Sequence, residues 1–376
     1  MIDLKKTLHF IPVFLVNPRA EKENVIRMGE ELESLIETFG GVIVDRVLQK
    51  LDKPDHTTYI GKGKVQEVME RLKKHQVDVV VLNAMAKPGQ VHELQKRFQT
   101  VSPSIEVWDR VDLILHIFEK HATTTESRLQ IQLARMKYMG PRIYGMGYVM
   151  SRQGGGIGTL GVGETNTELM KRHWRAELKR VGEQLEKISK NKAMQLDQRK
   201  RSGFLTVSIV GYTNAGKSSL FHALCGKEAF VENALFATLD NSVGKFYSPE
   251  LMKDVLVTDT IGFIRNLPPR LIQAFNATLT ESLHSDLLLH VIDSADPECD
   301  YKIRVVNEIL HGLGRSTEDA VYIFNKSDLI NEETEIRLLE KYKEFSPLST
   351  SVKTGKGIDE LRASIGVRLH QRLQVD

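Results

Sequence analysis

Cysteine is nearly absent: Cys225 and Cys299 are the only two in 376 residues. Two thiols build no disulfide framework, and neither lies in a CxxC spacing, which excludes a stapled secreted scaffold and a thiolate metal centre. Long apolar runs are missing as well. No stretch approaches the ~20 apolar residues of a membrane span, so stable membrane insertion is not expected. The nearest thing to a leader is Leu8 to Val16 behind Lys5 and Lys6. Pro12 interrupts it, however, and Asn17-Pro18-Arg19 is a poor small-residue cleavage site. It reads as a first β-strand, and the protein as cytoplasmic. An excess of one charge is lacking too: 52 Lys and Arg against 49 Asp and Glu leave a formal +3, too little to imply nucleic-acid binding without local clustering. With 41% hydrophobic and 27% charged residues, nothing suggests disorder or a fibre.

What is present is enough chain for two or three domains, each with its own core. Up to residue 108, strand and helix periods alternate. The apolar run His9 to Val16 precedes a charged helical stretch from about Ala20 to Phe39. Val42-Ile43-Val44 and Asp78-Val79-Val80-Val81-Leu82 flank a helical stretch from about Lys64 to His75. Apolar strands separated by helices predict a small parallel sheet covered on both faces. From Val111 to Met139 the period is helical without strand signals, and it is helical again from Thr165 to Lys200. There Trp174, Leu178, Val181, Leu185 and Ile188 form a seam that Leu129, Leu133 and Met136 can oppose. Residues 109–201 are therefore expected to form a long antiparallel hairpin, with a third domain over 202–376.

The hairpin tip is dense in glycine, from Gly154 to Gly163. Glycine content alone favours a flexible connector, although long loops at tips often carry function. The second helix is basic: Lys171, Arg172, Arg175, Lys179, Arg180 and Lys187 outnumber Glu177, Glu183 and Glu186. A solvated face explains such charge by itself, but beside a glycine-rich tip it raises the case for a nucleic-acid surface.

Chemistry concentrates after residue 202. The buried-strand pattern Leu205 to Val210 runs into Gly211-Tyr212-Thr213-Asn214-Ala215-Gly216-Lys217-Ser218, a GxxxxGK[ST] without a gap, and Ser219 continues it into a helix. Strand, loop and helix give the motif its context. Backbone N–H groups and a helix N-terminus there hold an anion; Lys217 reaches the β- and γ-phosphates and the Ser218 hydroxyl ligates Mg²⁺. The next strand, Asp254 to Thr258, delivers Asp259-Thr260-Ile261-Gly262, a DxxG in which Asp259 holds Mg²⁺ and the Gly262 N–H meets the γ-phosphate. Between the two, Phe236-Ala237-Thr238 offers Thr238 as the switch threonine that completes the metal shell. Further on, Ala320 to Phe324 leads into Asn325-Lys326-Ser327-Asp328, an NKxD. The Asp328 carboxylate accepts from guanine N1–H and the exocyclic amine, donors that adenine lacks. Ser351-Val352-Lys353 occupies the place of the element that contacts guanine O6. Lys217, Thr238 and Gly262 are the expected catalytic groups, and GTP and GDP the expected ligands.

A glutamine that orients the attacking water follows the DxxG in a Ras-like enzyme; here Phe263 stands there and cannot hydrogen-bond water, so unassisted hydrolysis is expected to be slow. Asn214 is open to two readings of equal weight: a ligand for an activating K⁺, or a loop asparagine bonding its own backbone.

Nearly the whole chain resembles the HflX family of translational GTPases. The resemblance rests on Tyr59-Ile60-Gly61-Lys62-Gly63-Lys64, Trp108-Asp109-Arg110, Ser151-Arg152-Gln153-Gly154-Gly155-Gly156-Ile157-Gly158-Thr159 with Gly161, Gly163 and Glu164, the phosphate loop, Phe236-Ala237-Thr238-Leu239-Asp240, and Asp259-Thr260-Ile261-Gly262-Phe263-Ile264-Arg265. It implies an α/β fold: a P-loop GTPase domain preceded by a small parallel α/β subdomain and a long antiparallel α-helical hairpin. It also implies association with the large ribosomal subunit and its rRNA, the splitting or rescue of stalled ribosomes under stress, and a monomer in the free state. The candidate RNA contacts are Gly155, Gly156, Gly158, Thr159, Gly161, Arg172, Arg175 and Lys179. Leu160 and Val162 replace the arginine and proline of the family loop, removing a cation and a rigid turn. Asn83 to Pro88 lacks the acidic and serine residues common there, and the chain reads as a short form without an added C-terminal domain. The rival reading is a GTP-gated protein-binding switch or scaffold with incidental turnover. A P-loop small-molecule kinase is disfavoured because it has no use for the guanine motif.

Overall fold

The computed structural model describes residues 7–19, 22–153, 162–226, 242–260, 262–265 and 284–375. The chain divides into two compact units, residues 1–120 with 129–183 and residues 121–128 with 184–376.

The first unit begins with β1 (His9–Val16), α1 (Lys22–Phe39), β2 (Val42–Ile43), β3 (Val47–Lys50), α2 (Lys62–Lys74), β4 (Val79–Leu82), α3 (Pro88–Phe98), β5 (Glu106–Asp109) and α4 (Arg110–His121). Its sheet runs β2-β1-β4-β5 with β3 beside β2 on the same flank of β1, and every pairing is parallel. Pro12 sits inside the central strand, where a missing N–H is normally costly. The pairing explains its tolerance. The Leu8 and Phe10 carbonyls accept from Val42 and Val44, so even-numbered residues of β1 turn their polar groups toward β2 and β3. Pro12 faces the gap between these two short strands, where no ladder bond is asked of it.

One face of this sheet is closed by Phe10, Phe39 and Trp108, packed edge-to-face at 5.6–5.7 Å. Phe10 and Phe39 are fully buried, and truncating either to alanine costs about 3–5 kcal/mol. The Trp108-Asp109-Arg110 mark is a structural joint. Asp109 ends β5 and caps α4, its Oδ1 accepting from Val111 N at 3.0 Å and Asp112 N at 2.9 Å. Asp112 Oδ2 answers by accepting from Asp109 N at 3.1 Å, a reciprocal cap. Arg110 bridges Glu31 at 2.9 Å and Asn83 at 2.9 Å.

The helical period from Val111 to Met139 is divided in two. After α4, Thr124 Oγ1 accepts the Ser127 N–H at 3.1 Å, capping a new helix, α5 (Thr125–Gln153), which is followed by α6 (Val162–Arg201). The hairpin expectation holds. Gln132 bonds Glu177 at 3.1 Å, and Gly140 lies against Trp174, where a Cβ would come within 3.2 Å of the indole nitrogen. As one helix advances the other recedes, so the pair is antiparallel. Val181, Leu185 and Met136 are buried, as are Ile131 and Ala134 beside the expected seam.

The second unit carries β6 (Leu205–Gly211), α7 (Lys217–Cys225), β7 (Ser242–Ser248), β8 (Lys253–Asp259), β9 (Leu287–Asp293), α8 (Cys299–Gly312), β10 (Val321–Asn325), α9 (Glu332–Lys341), β11 (Leu348–Ser349) and α10 (Ile358–Val375). The sheet order is β11-β10-β9-β6-β8-β7, parallel apart from the antiparallel β7. β6 enters the middle. The chain then builds outward first on one side, through β7 and β8, and later on the other, which makes the carboxyl end of β6 a topological switch point. Among the described residues no helix is long and apolar enough to cross a membrane.

Candidate functional site

At that switch point β6 delivers the glycine-rich loop. Gly211 is obligatory by space: a Cβ there would lie 2.2 Å from the Val291 carbonyl oxygen. Gly216, at φ 91°, meets the same limit against Asn325 Nδ2, also 2.2 Å away, and Asn214 takes φ 63° on the exposed crest. The turn ends where α7 begins, so the N–H groups of its first turn lie at a helix N-terminus, the place where an anion is held. The Asn214 side chain makes no hydrogen bond among the described residues. Lys217 is 6% exposed and its Nζ donates to the Tyr212 carbonyl at 2.8 Å. Burial pushes this ammonium down to about 8, while Asp259 acts in the opposite direction.

β8 carries Asp259 to the same edge, 1% exposed, and Thr260 Oγ1 donates to the Ile209 carbonyl at 2.7 Å. Ile209 pairs with Asp259 and Tyr212 with Phe263, so the β8 side holds one residue more than β6 between these points. Gly262 lies close against the phosphate loop. A Cβ on Gly262 would lie 2.7 Å from Lys217 Nζ and 2.9 Å from Thr213 Cγ2. Phe263 is 3% exposed, its ring buried where a Ras-like enzyme presents a glutamine to water.

The base-reading motif arrives from β10. Asn325 Nδ2 donates to the Ala215 carbonyl at 3.0 Å, and its Oδ1 accepts from Val352 N at 3.3 Å. One buried amide thus ties the phosphate loop to the Ser351-Val352-Lys353 segment. Ser351 Oγ donates to Asp328 Oδ1 at 2.6 Å, which is the first cause holding the Asp328 carboxyl below its usual range. Lys353 Nζ stands 4.0 Å from the other oxygen. Lys326, at φ 63°, pairs with Asp293 at 2.7 Å. Asp293 and Ser294 escaped the sequence reading, although Ser294 N and Oγ both donate to the Asn325 carbonyl. Their signal was the polar end of the apolar β9 strand.

Among the described residues there is no cluster of three His, Cys, Asp or Glu side chains able to hold a metal. The Ser218 hydroxyl and the Asp259 carboxylate are hard-oxygen donors carried by α7 and the end of β8. That sparse set fits Mg²⁺, which keeps several waters and takes the rest of its shell from substrate phosphates. Phe236, Ala237, Thr238 and Ile261 lie outside the described residues, as do Gly155, Gly156, Gly158, Thr159 and Gly161. On α6, Arg172, Arg175 and Lys179 are all exposed and share one face at i, i+3 and i+7. Arg180 is engaged with Glu177 at 2.5 Å.

Residues 27–119 match a family described as GTP-binding GTPase N-terminal, 121–199 one described as GTP-binding GTPase Middle Region, and 206–326 one described as 50S ribosome-binding GTPase. The chain is 42% identical over 300 residues to the GTPase HflX of Caldanaerobacter subterraneus subsp. tengcongensis, covering 80% of this chain and 69% of that one. To the GTPase HflX of Lacrimispora saccharolytica it is 35% identical over 361 residues, 96% and 83% of the two chains. To that of Escherichia coli K12 it is 34% identical over 342 residues, 90% and 78%. Among solved structures it is similar to SsGBP in its GDP complex, with 25% identity, a TM-score of 0.54 and coverage of 97% and 99%. A GTP-binding protein of Sulfolobus solfataricus in complex with GDP shares the fold at 23% identity, with a TM-score of 0.51 and coverage of 98% and 100%.

Proposed function

The chain belongs to the HflX family of GTPases, and from that premise we propose that it is a ribosome-stimulated GTPase that engages the large subunit and splits or rescues stalled ribosomes under stress. Hydrolysis of GTP to GDP and phosphate is the chemistry. The observation that carries the reading is the convergence of Lys217, Gly262, Asp259 and the Asn325-braced base loop at one sheet edge.

In this reading the loop amides from Asn214 to Ser219 and the Lys217 ammonium cradle the phosphates. The Gly262 N–H senses the γ-phosphate, and Asp328, set by Ser351, reads the base while Val352 and Lys353 line its edge. Ser218, Asp259 and Thr238 would hold Mg²⁺, which supplies charge neutralisation at the phosphates; K⁺ near Asn214 is the candidate activating ion. The residue directly after the DxxG is the buried Phe263, which cannot orient water, so turnover waits for a partner. The three-part division assigns nucleotide chemistry to 202–376, the ribosome-facing hairpin to 109–201 and a supporting α/β body to 1–108. Arg172, Arg175 and Lys179 meet rRNA phosphates, with Gly155, Gly156, Gly158, Thr159 and Gly161 at the tip. The match to a family described as 50S ribosome-binding GTPase supports the choice of subunit.

The test is GTP hydrolysis with and without purified large subunits, followed by sedimentation of intact ribosomes. Stimulated turnover and a loss of intact particles are expected. Neither stimulation nor co-sedimentation would leave the protein-binding switch as the better reading.

A further inference from the structure

The residues just after the DxxG have no part in the chemistry above, yet they are among the most tightly held in the second unit. Phe263 N donates to the Gly211 carbonyl at 3.0 Å, and Thr213 N donates to the Phe263 carbonyl at 2.7 Å. These two bonds resume the pairing with β6 just beyond Gly262. Two residues on, the Arg265 N–H donates to the Tyr212 hydroxyl at 2.7 Å. The Arg265 guanidinium donates to Glu298 Oε2 at 2.7 Å, with both side chains 14% exposed, and it lies over the Tyr301 ring at 4.4 Å. Tyr212 is gripped in turn, because Lys302 Nζ stands 4.7 Å over its ring while pairing with Asp296.

An arginine spent on its own fold in this way, beside the phosphate loop, performs a different task from an arginine offered to a phosphate. The ladder resumes on one side of Gly262, and Asp259 ends β8 on the other. The position of the Gly262 N–H is therefore held from its carboxyl side, to within the play of these bonds. We propose that Arg265 and Glu298 are positioning residues for triphosphate recognition. By pinning residues 263–265 onto Gly211, Tyr212 and Thr213, they hold the Gly262 N–H where a γ-phosphate is met. Tyr212, at a position of the phosphate loop that tolerates many residues, is the other half of this clasp. The inference rests on the GTPase reading and deepens it: the residues that let the protein distinguish GTP from GDP extend beyond the DxxG to Glu298, the N-cap of α8.

A positioning role predicts an effect on one ligand and not the other. GDP has no γ-phosphate, so misplacing Gly262 costs GTP alone, whereas general damage to the fold costs both. The experiment is titration of the full chain, with Mg²⁺, against fluorescent GDP and a fluorescent non-hydrolysable GTP analogue. Glu298→Gln keeps the shape and removes the charge; Arg265→Ala removes the clasp. Each is expected to weaken the GTP analogue about tenfold, with GDP changed less than twofold. The Arg265→Ala/Glu298→Gln pair should be no worse than Arg265→Ala alone, because both act through one contact. Tyr212→Phe, which keeps the ring and loses only the hydroxyl, serves as the gentler variant should Arg265→Ala fail to fold, and the same ligand split is expected of it. Equal weakening of both nucleotides, or no change in either, would overturn the inference. Failure of the unaltered chain to bind either nucleotide would instead overturn the GTPase reading beneath it.

Discussion

His290 is a titratable group buried in the middle of the GTPase sheet, 1% exposed, paired in register with Val210 one residue before the phosphate loop. Burial first, and the nearby Lys217 charge second, push its imidazole down to about 3. In the folded protein it is therefore neutral at pH 5, whereas in the unfolded chain it takes up a proton below about 6.5. The unfolded state then binds more protons as pH falls, so the stability His290 contributes is complete above about 6.5 and is lost progressively toward its folded value. At ~1.36 kcal/mol per pH unit, moving from pH 7.5 to pH 5.0 removes about 2 kcal/mol through this one group. The figure does not depend on how far below 5 the folded value lies. For a unit of this size it equals a fall of about 4–8 °C in Tm.

Other groups titrate over the same range, so the quantity to measure is a difference. Thermal and urea unfolding of the unaltered chain and of His290→Leu at both pH values should show the unaltered chain losing about 2 kcal/mol more on acidification than the variant. Equal losses would mean that the imidazole is protonated in the folded state, and the account of a neutral floor beneath Lys217 would be wrong.

Lys217→Ala should lower turnover by about 10²–10³-fold, read by phosphate release, and a loss smaller than threefold would remove it from the site. Asp328→Asn should reverse base choice, raising the affinity for xanthosine relative to guanosine nucleotides by about 10²-fold in competition binding. Asn325→Ala strands the Ala215 carbonyl and the Val352 N–H. At about 1–3 kcal/mol for each unpaired group, the two together should lower the melting temperature of the GTPase unit by about 4–24 °C, with GDP affinity falling in parallel. Reversing charge at Arg172, Arg175 and Lys179 should reduce the slope of ribosome affinity against salt by about two to three and leave intrinsic hydrolysis unchanged; an unaltered slope would move the RNA surface elsewhere.

Much of this molecule could be read along the chain. Helix and strand periods located β1, α1 and α2 and the hairpin, because burying one face imposes a repeat that needs no partner to be seen. The phosphate loop and the base motif were equally legible, since each packs its chemistry into eight or fewer consecutive residues after an apolar strand. Short elements escaped. β3 and β5 have four residues each, as β4 does, but end or begin on polar residues where β4 is wholly apolar, and they exist because β1 and β4 offer them edges. The break before α5 was hidden inside an uninterrupted helical period, although the Thr124 cap marks it once the hydroxyl is seen to turn back on Ser127.

Sequence alone determined the kind of chemistry, the nucleotide class and the order of the parts, because these depend on residue types at fixed short spacings. Only the tertiary structure decided which residues brace that chemistry. Asn325 reaches Ala215 across 110 positions and Arg265 reaches Glu298 across 33. Contacts between such distant positions leave no periodic trace in the chain, since they arise from sheet order and not from spacing. The same holds for Pro12 and Gly262: one is tolerated and the other required because of what a neighbouring strand leaves open or brings close.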